Sequence, residues 1–351
     1  MSPSAIGLIM LVGSYGAASD TTFHTYDFDC LTGQATLCQA LTGLENPSFL
    51  AIVDDNTLLT VNENPDATAG LTMLKRHSST PTDYAPVADC LVGGADPCHV
   101  VISPNGKYAV TSNYSGGSIT IVPFDTEDPK FGVTTTVQFD GSGPVKDRQD
   151  SPHAHFTSFT PDGKLMIVDD LGTDQLHVFP LDDNGYPVIG NMADIDIAPG
   201  SGPRHLVYDR SGENAYLINE IGGTVTHLRY NSADTTLTPV SYTLADYEHA
   251  AGSADIHLSP DGRFLYVSNR LKGDGITIFA VDPTDGSLTP AGFNSTGIHP
   301  RNFAITPDGN WLVVACRDDN LIEVYRRNIN DGSLSPVNSI PCPKPVCILF
   351  L

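Results

Sequence analysis

Positive charge is what this chain has least of: 18 Lys plus Arg stand against 41 Asp plus Glu, a formal charge of −23 over 351 residues. Such a surface repels nucleic acid and anionic membranes, and both are excluded as partners. No segment carries a sustained helical stripe, which excludes a helical architecture. No apolar run is long enough to span a bilayer. The opening Met1 to Val12 lacks Lys and Arg, is too short for an anchor, and reads as a strand rather than a signal peptide. The cytoplasm is the default compartment. Seven cysteines is an odd number, and Cys30/Cys38, Cys90/Cys98 and Cys342/Cys347 are not spaced as metal knuckles, so buried free thiols are expected. HExxH, EF-hand and Gly-x-Ser-x-Gly patterns are missing, and no cysteine has an obvious partnering base. Neither a metal, a cofactor nor a covalent intermediate is called for. Linkers and low-complexity tracts are missing too, and much of the acid lies in Asp-Gly turns, where turn chemistry and solubility account for it.

What is present is a repeat of about fifty residues. Its clearest copies are Pro97-Cys98-His99-Val100-Val101-Ile102-Ser103-Pro104-Asn105-Gly106, Ser253-Ala254-Asp255-Ile256-His257-Leu258-Ser259-Pro260-Asp261-Gly262 and Pro300-Arg301-Asn302-Phe303-Ala304-Ile305-Thr306-Pro307-Asp308-Gly309. Looser copies begin at Pro47, Pro152 and Pro203. β-Branched and aromatic residues dominate runs such as Phe264 to Asn269 and Gly275 to Val281, bounded by Asp-Gly and Pro signals. Each unit is therefore expected to be a four-stranded antiparallel blade. A seventh start at Pro345 runs out after one strand. Its missing partners are at the other end, where Ile6 to Val12 and Thr22 to Phe28 read as strands. The expected fold is all-β: one seven-bladed β-propeller domain over residues 1–351, its ring closed between N-terminal strands and a C-terminal inner strand, leaving no open edge.

With Pro104, Pro161, Arg210, Pro260 and Pro307 aligned, Cys98, His155, Arg204, Ala254 and Arg301 stand six positions earlier, at the start of each inner strand. Ten positions later, where the second strand ends, stand Tyr114, Leu171, Glu220, Arg270 and Arg317. In an antiparallel pair these two sets share one face of the disc. His155, Arg204, Glu220, Arg270 and Arg301 should thus converge on the channel mouth. Glu63 joins them, because Val61-Asn62-Glu63 mirrors Ile218-Asn219-Glu220. Arginines hold carboxylates or phosphates and can stabilise an oxyanion, while a carboxylate and an imidazole provide general base and acid. Each member also has a structural reading. Arg204 and Glu220 could be an ion pair between strands, His155 could bond its own backbone as His99 and His205 are expected to, and Arg301 could merely line the channel. Arg317 reads as an exposed end, Trp311 as core. His153 could replace His155 if the two-residue insertion before Pro161 shifts the register.

His153-Ala154-His155, Gly202-Pro203-Arg204-His205-Leu206, Ile218-Asn219-Glu220, Ala254-Asp255-Ile256-His257 through Ser268-Asn269-Arg270, and His299-Pro300-Arg301-Asn302-Phe303 resemble the seven-bladed propeller lactonase family. That family includes cycloisomerase-type 6-phosphogluconolactonases and fungal 3-carboxy-cis,cis-muconate lactonizing enzymes. The resemblance covers essentially the whole chain and implies a catalytic set of His155, Arg204, Glu220 and Arg270, with Arg301, Glu63 and His153 as substrate-binding candidates and no metal. It implies hydrolysis of a small anionic sugar lactone, 6-phosphogluconolactone to 6-phosphogluconate, by a monomer or weak homo-oligomer. Glu220, helped or replaced by His155, would activate water; Arg204 would hold the oxyanion; Arg270 with Arg301 would bind the anionic group. Replacing Arg204 or Glu220 by Ala is expected to abolish turnover and leave thermal unfolding nearly intact. The alternatives are a 3-carboxy-cis,cis-muconate cycloisomerase using the same residues and a non-catalytic propeller scaffold for protein interaction.

Overall fold

The computed structural model describes residues 7–77, 80 and 82–351. Ile6, the expected start of the first strand, lies outside the described residues. Seven antiparallel sheets are arranged around an axis. Their innermost strands are Leu50–Asp54, Pro97–Ile102, Ala154–Phe159, Pro203–Tyr208, Ser253–Leu258, Pro300–Ile305 and Pro345–Phe350, which define blades one to seven. Each inner strand touches those of the blades on either side, and Pro345–Phe350 touches Leu50–Asp54. The ring is closed.

Closure happens as the sequence implies, and a third N-terminal strand brings the blade to the expected four. Pro345–Phe350 pairs with Gly7–Ser14, and Phe23–Asp29 and Ala35–Leu41 complete blade seven. The first and last described strands are thus locked inside one sheet rather than left as edges.

The strand chemistry explains the layering. The second strands Tyr108–Asn113, Asn214–Asn219, Phe264–Asn269 and Trp311–Cys316 are buried at every residue because neighbouring blades pack on both faces. That is why their sequences do not alternate apolar with polar residues. Seven apolar clusters fill the gaps between successive blades. Each Leu, Val or Phe fully buried there contributes about 1.5–3 kcal/mol. Trp311 is core, as expected: its ring meets Phe28 edge-on at 6.1 Å and its Nε1 donates to the Cys30 carbonyl at 2.8 Å, joining blade six to blade seven. Among the described residues the one helical element is a single 3-10 turn, Ile189–Asn191. The cysteines are free; Cys98, Cys316, Cys342 and Cys347 are buried, while Cys38 is exposed, contrary to expectation.

Candidate active site

Two backbone devices, repeated from blade to blade, build the site. The first is a bulge. In blades two to six, pairing slips within the first residues of the inner strand, between Pro97/His99, Ala154/Phe156, Pro203/His205, Ser253/Ile256 and Pro300/Asn302. The skipped residues include Cys98, His155, Arg204, Ala254 and Arg301. A bulge releases its side chain from the up-down alternation of a strand and re-aims it, here towards the mouth. The second device is a corner. The first residue beyond each second strand donates its N–H to the carbonyl just before the inner strand: Glu63 to Asn46 (3.1 Å), Tyr114 to Asp96 (2.8 Å), Leu171 to His153 (3.0 Å), Glu220 to Gly202 (2.8 Å), Arg270 to Gly252 (3.2 Å), Arg317 to His299 (3.1 Å) and Tyr15 to Lys344 (3.1 Å). Asn46, Asp96, Gly202, His299 and Lys344 adopt left-handed φ values of 39–65°. Such a conformation is uncommon for residues other than glycine, and strain of this kind concentrates at functional sites.

These devices bring the expected residues together. Glu220 is the hub: its Oε2 accepts from Arg204 Nε at 2.8 Å and lies 3.0 Å from Arg270 Nη2, and its Oε1 accepts from Arg148 Nη2 at 2.5 Å. Arg204, Arg270 and Glu220 are only 1%, 5% and 7% exposed, so the charges are desolvated. Burial alone would raise the Glu220 pKa, but Arg270, Arg204 and Arg148 outweigh it and hold the carboxyl at about 2. Burial pulls Arg270 down to about 9, still a cation at neutral pH. A second, smaller group faces it: the Tyr15 hydroxyl donates to Glu63, 2.9 and 2.8 Å from its two oxygens, and Arg301 Nη2 lies 3.8 Å from Glu63 Oε1. Burial, and then Glu63, push the Tyr15 pKa up.

His155 and Cys98 sit between the two groups. The Cys98 Sγ is 3.8 Å from His155 Nδ1, a neighbour that sequence reasoning did not assign. Burial pushes the Cys98 thiol up, which keeps it protonated and a poor nucleophile. Burial and the surrounding cations, Arg204 first, push His155 well below the ordinary histidine range. It is a neutral imidazole at physiological pH. His153 does not take its place: that ring stacks on Tyr114 at 4.5 Å, and its Nδ1 bonds the Tyr114 carbonyl at 3.0 Å, one step out towards the rim. Arg317 is tied to Asp318 at 2.6 Å and touches His299 at 3.3 Å, whose other ring nitrogen is 3.4 Å from Arg270.

Tyr15, Arg148 and His205 escaped the sequence reading. Tyr15 is the first residue beyond the second strand of blade seven and was findable by carrying the repeat register through the ring closure. Arg148 lies in a connection, residues 139–153, that has no repeat register at all. His205 was expected to be structural, yet its Nε2 accepts from Arg204 Nη1 at 3.1 Å. Among the described residues no three His, Cys, Asp or Glu side chains come together in a metal-holding group. What the arrangement can do is concentrate positive charge, on a protein of charge −23, around the neutral His155 imidazole.

Comparison with known proteins agrees with this architecture. Residues 9–350 match the family model for lactonases of the seven-bladed β-propeller type. A 6-phosphogluconolactonase of Formosa agariphila is 36% identical over 339 residues, 93% of this chain and 94% of the relative. One from Bacillus subtilis is 28% identical over 97% of both chains. Among solved structures, a candidate 6-phosphogluconolactonase of Bacteroides fragilis superposes with a TM-score of 0.92 at 41% identity, covering 100% of this chain and 99% of that one. The periplasmic gluconolactonase of Pseudomonas aeruginosa gives a TM-score of 0.89 at 27% identity, covering 98% and 99%.

Proposed function

The chain belongs to the seven-bladed β-propeller lactonase family, and from that premise we propose that it hydrolyses 6-phosphogluconolactone to 6-phosphogluconate at the mouth formed by His155, Arg204, Glu220 and Arg270. The carrying observation is the trio of arginines on Glu220 beside a neutral His155.

On this reading the labour is divided between the two groups that the sequence left as rival bases. A carboxylate held near pKa 2 has little affinity for a proton at neutral pH. Its role is to fix the guanidinium groups, and His155 is the base. Water attacks the lactone carbonyl carbon and gives its proton to the imidazole. The carbonyl oxygen becomes an oxyanion beside Arg204, worth about 2.7–4 kcal/mol if that donor behaves like others of its kind. On collapse the bond to the ring oxygen breaks, and that oxygen takes the proton back from His155. The free hydroxy acid then loses a proton to solvent. Arg270 and Arg301, with Arg148 at the rim, hold the phosphate.

Glu63 favours a sugar lactone over a carboxymuconate. Fixed by Tyr15, its carboxylate can accept hydrogen bonds from sugar hydroxyls, whereas the three carboxylates of a carboxymuconate would be repelled by Glu63 and Glu220 together. A scaffold has no need of this buried ionic cluster. The compartment proposed is the cytoplasm, with which free thiols agree; fractionation tests this against the periplasm, where the Pseudomonas aeruginosa neighbour is placed. The functional test is a substrate panel of fresh 6-phosphogluconolactone, unphosphorylated gluconolactone and carboxymuconate. The phosphorylated lactone should have the highest kcat/KM, and turnover of carboxymuconate alone would transfer the site to the cycloisomerase reading.

A further inference from the structure

One residue below the mouth, the seven inner strands or their approaches contribute a second ring: Phe49, His99, Phe156, His205, Asp255, Asn302 and Cys347, part of the lining of a cavity of about 480 Å³ on the axis. Half of this ring is aromatic packing, with centroids 4.4 Å apart for Phe49 and His99, 4.0 Å for His99 and Phe156, and 4.7 Å for Phe156 and His205. The other half is a hydrogen-bonded chain that crosses blades. His205 Nδ1 lies 2.9 Å from Asp255 Oδ1, Asp255 Oδ2 accepts from Asn302 Nδ2 at 2.6 Å, and Asn302 Oδ1 accepts from the Ile348 N–H at 2.7 Å.

We propose that His205 and Asp255 are positioning residues that set the orientation of the Arg204 guanidinium for the reaction. The inference rests on the catalytic reading of Arg204 given above. Each nitrogen of the fork has a distinct assignment. Nε donates to Glu220 at 2.8 Å, and Nη1 donates to the Ala254 carbonyl at 2.5 Å and to His205 Nε2 at 3.1 Å. Nη2, on the same side of the fork as Nε, makes no hydrogen bond among the described residues and is the donor left for an oxyanion.

The tautomer of His205 follows from its neighbours. An arginine offers hydrogens and never accepts them, so Nε2 must carry the lone pair and Nδ1 the proton. Asp255 enforces this, because an ionised carboxylate can only accept. It is itself pinned by the Ile256 and Phe303 N–H groups at 3.0 and 3.1 Å and by His257 Nε2 at 3.0 Å. Burial first, then the Arg204 charge, push the His205 pKa down to about 4, so the ring remains neutral against the cation. Since the guanidinium does not release a proton, the chain transmits orientation and not protons.

Paired variants separate this role from simple packing. In His205→Gln the side-chain amide reaches the Nε2 position and can still accept from Arg204; in His205→Asn it reaches only the Nδ1 position, keeping Asp255 and dropping Arg204. For 6-phosphogluconolactone, kcat of His205→Gln should stay within about 5-fold of wild type. That of His205→Asn should fall at least about 10-fold with KM little changed, short of or equal to the roughly 10²–10³ for losing an oxyanion donor outright. Equal kcat in the two folded variants, or the reverse order, overturns the proposal. Asp255→Asn is the second arm. Its amide oxygen is claimed by the donors from His257, Asn302 and Phe303, so its NH2 faces Nδ1 and forces the proton to Nε2. The ¹⁵N shifts of His205 should report the switched tautomer together with lost kcat; a switched tautomer with full kcat refutes the idea. If Arg204→Ala retains activity, the catalytic reading itself fails, a result distinct from any of these.

Discussion

Arg148 Nη2 and Glu220 Oε1 lie 2.5 Å apart, joining the longest connection between blades, residues 139–153, to the hub of the mouth. The Arg148 side chain is 34% exposed, so it can swing away while Arg204 and Arg270 continue to hold Glu220. Replacing Arg148 by Ala should therefore raise KM about 10-fold and leave kcat within about 3-fold, the signature of an interaction made equally in ground and transition states. Steady-state kinetics on 6-phosphogluconolactone decide; a fall in kcat at constant KM would place Arg148 in the chemistry instead.

The interior arginines behave differently. The sequence led to the expectation that Arg204→Ala or Glu220→Ala would hardly affect unfolding, but both side chains are buried in a charged network. Removing Glu220 leaves Arg204 and Arg270 without their carboxylate, at a cost of about 3–5 kcal/mol, whereas removing Arg204 costs less because Arg270 and Arg148 still hold Glu220. Each single variant should lower the thermal midpoint measurably, and the double variant should lose less than the sum of the two. Additive losses in calorimetry would mean the pair is not coupled.

With His155 as the proposed base, its environment predicts the pH dependence. Because burial and the nearby guanidinium groups push its pKa well below the usual value, the base form is already complete where an ordinary histidine would be half protonated. With unphosphorylated gluconolactone, whose lack of a phosphate removes that titration, enzyme-dependent kcat should show no acid limb where an ordinary histidine titrates, near pH ~6.5. An acid limb centred near 6.5 would assign the base to a histidine in an ordinary environment.

Asp169, in the second strand of blade three, is fully buried, and neither oxygen has a hydrogen-bond partner among the described residues. Burial pushes its pKa well above the carboxylate range. The unfolded chain loses this proton near pH 4 whereas the folded chain keeps it to higher pH, so stability is greatest below that point and declines as pH rises towards the folded pKa. Asp169→Asn, neutral throughout, should unfold at a temperature that increasingly exceeds wild type between about pH 4 and pH 8. A difference independent of pH would show that the carboxyl is not held neutral.

The architecture was legible because the corner recurs in every blade and the bulge in blades two to six, and a one-residue misalignment would have put His155, Arg204 and Arg301 on different footings. Ring closure hid Tyr15, whose strand lies over 300 residues from the inner strand it serves. Arg148 was illegible for another reason: it belongs to a connection outside the repeat. The partners of His205 were hidden because position alone does not reveal what a histidine's two nitrogens face; Arg204 on one side and Asp255 on the other come from three-dimensional neighbours. The proposed choice of His155 over Glu220 as base was equally hidden, since it turns on three guanidinium groups gathered from separate blades and a loop.

The most direct measurement follows ring opening of freshly prepared 6-phosphogluconolactone by NMR, with wild type, Arg204→Ala and His155→Gln compared against the spontaneous rate. Wild type should accelerate ring opening far above background, and each variant, shown to be folded, should lose at least about 10²-fold in kcat. A wild type that matches the background, or variants that match the wild type, would contradict the account.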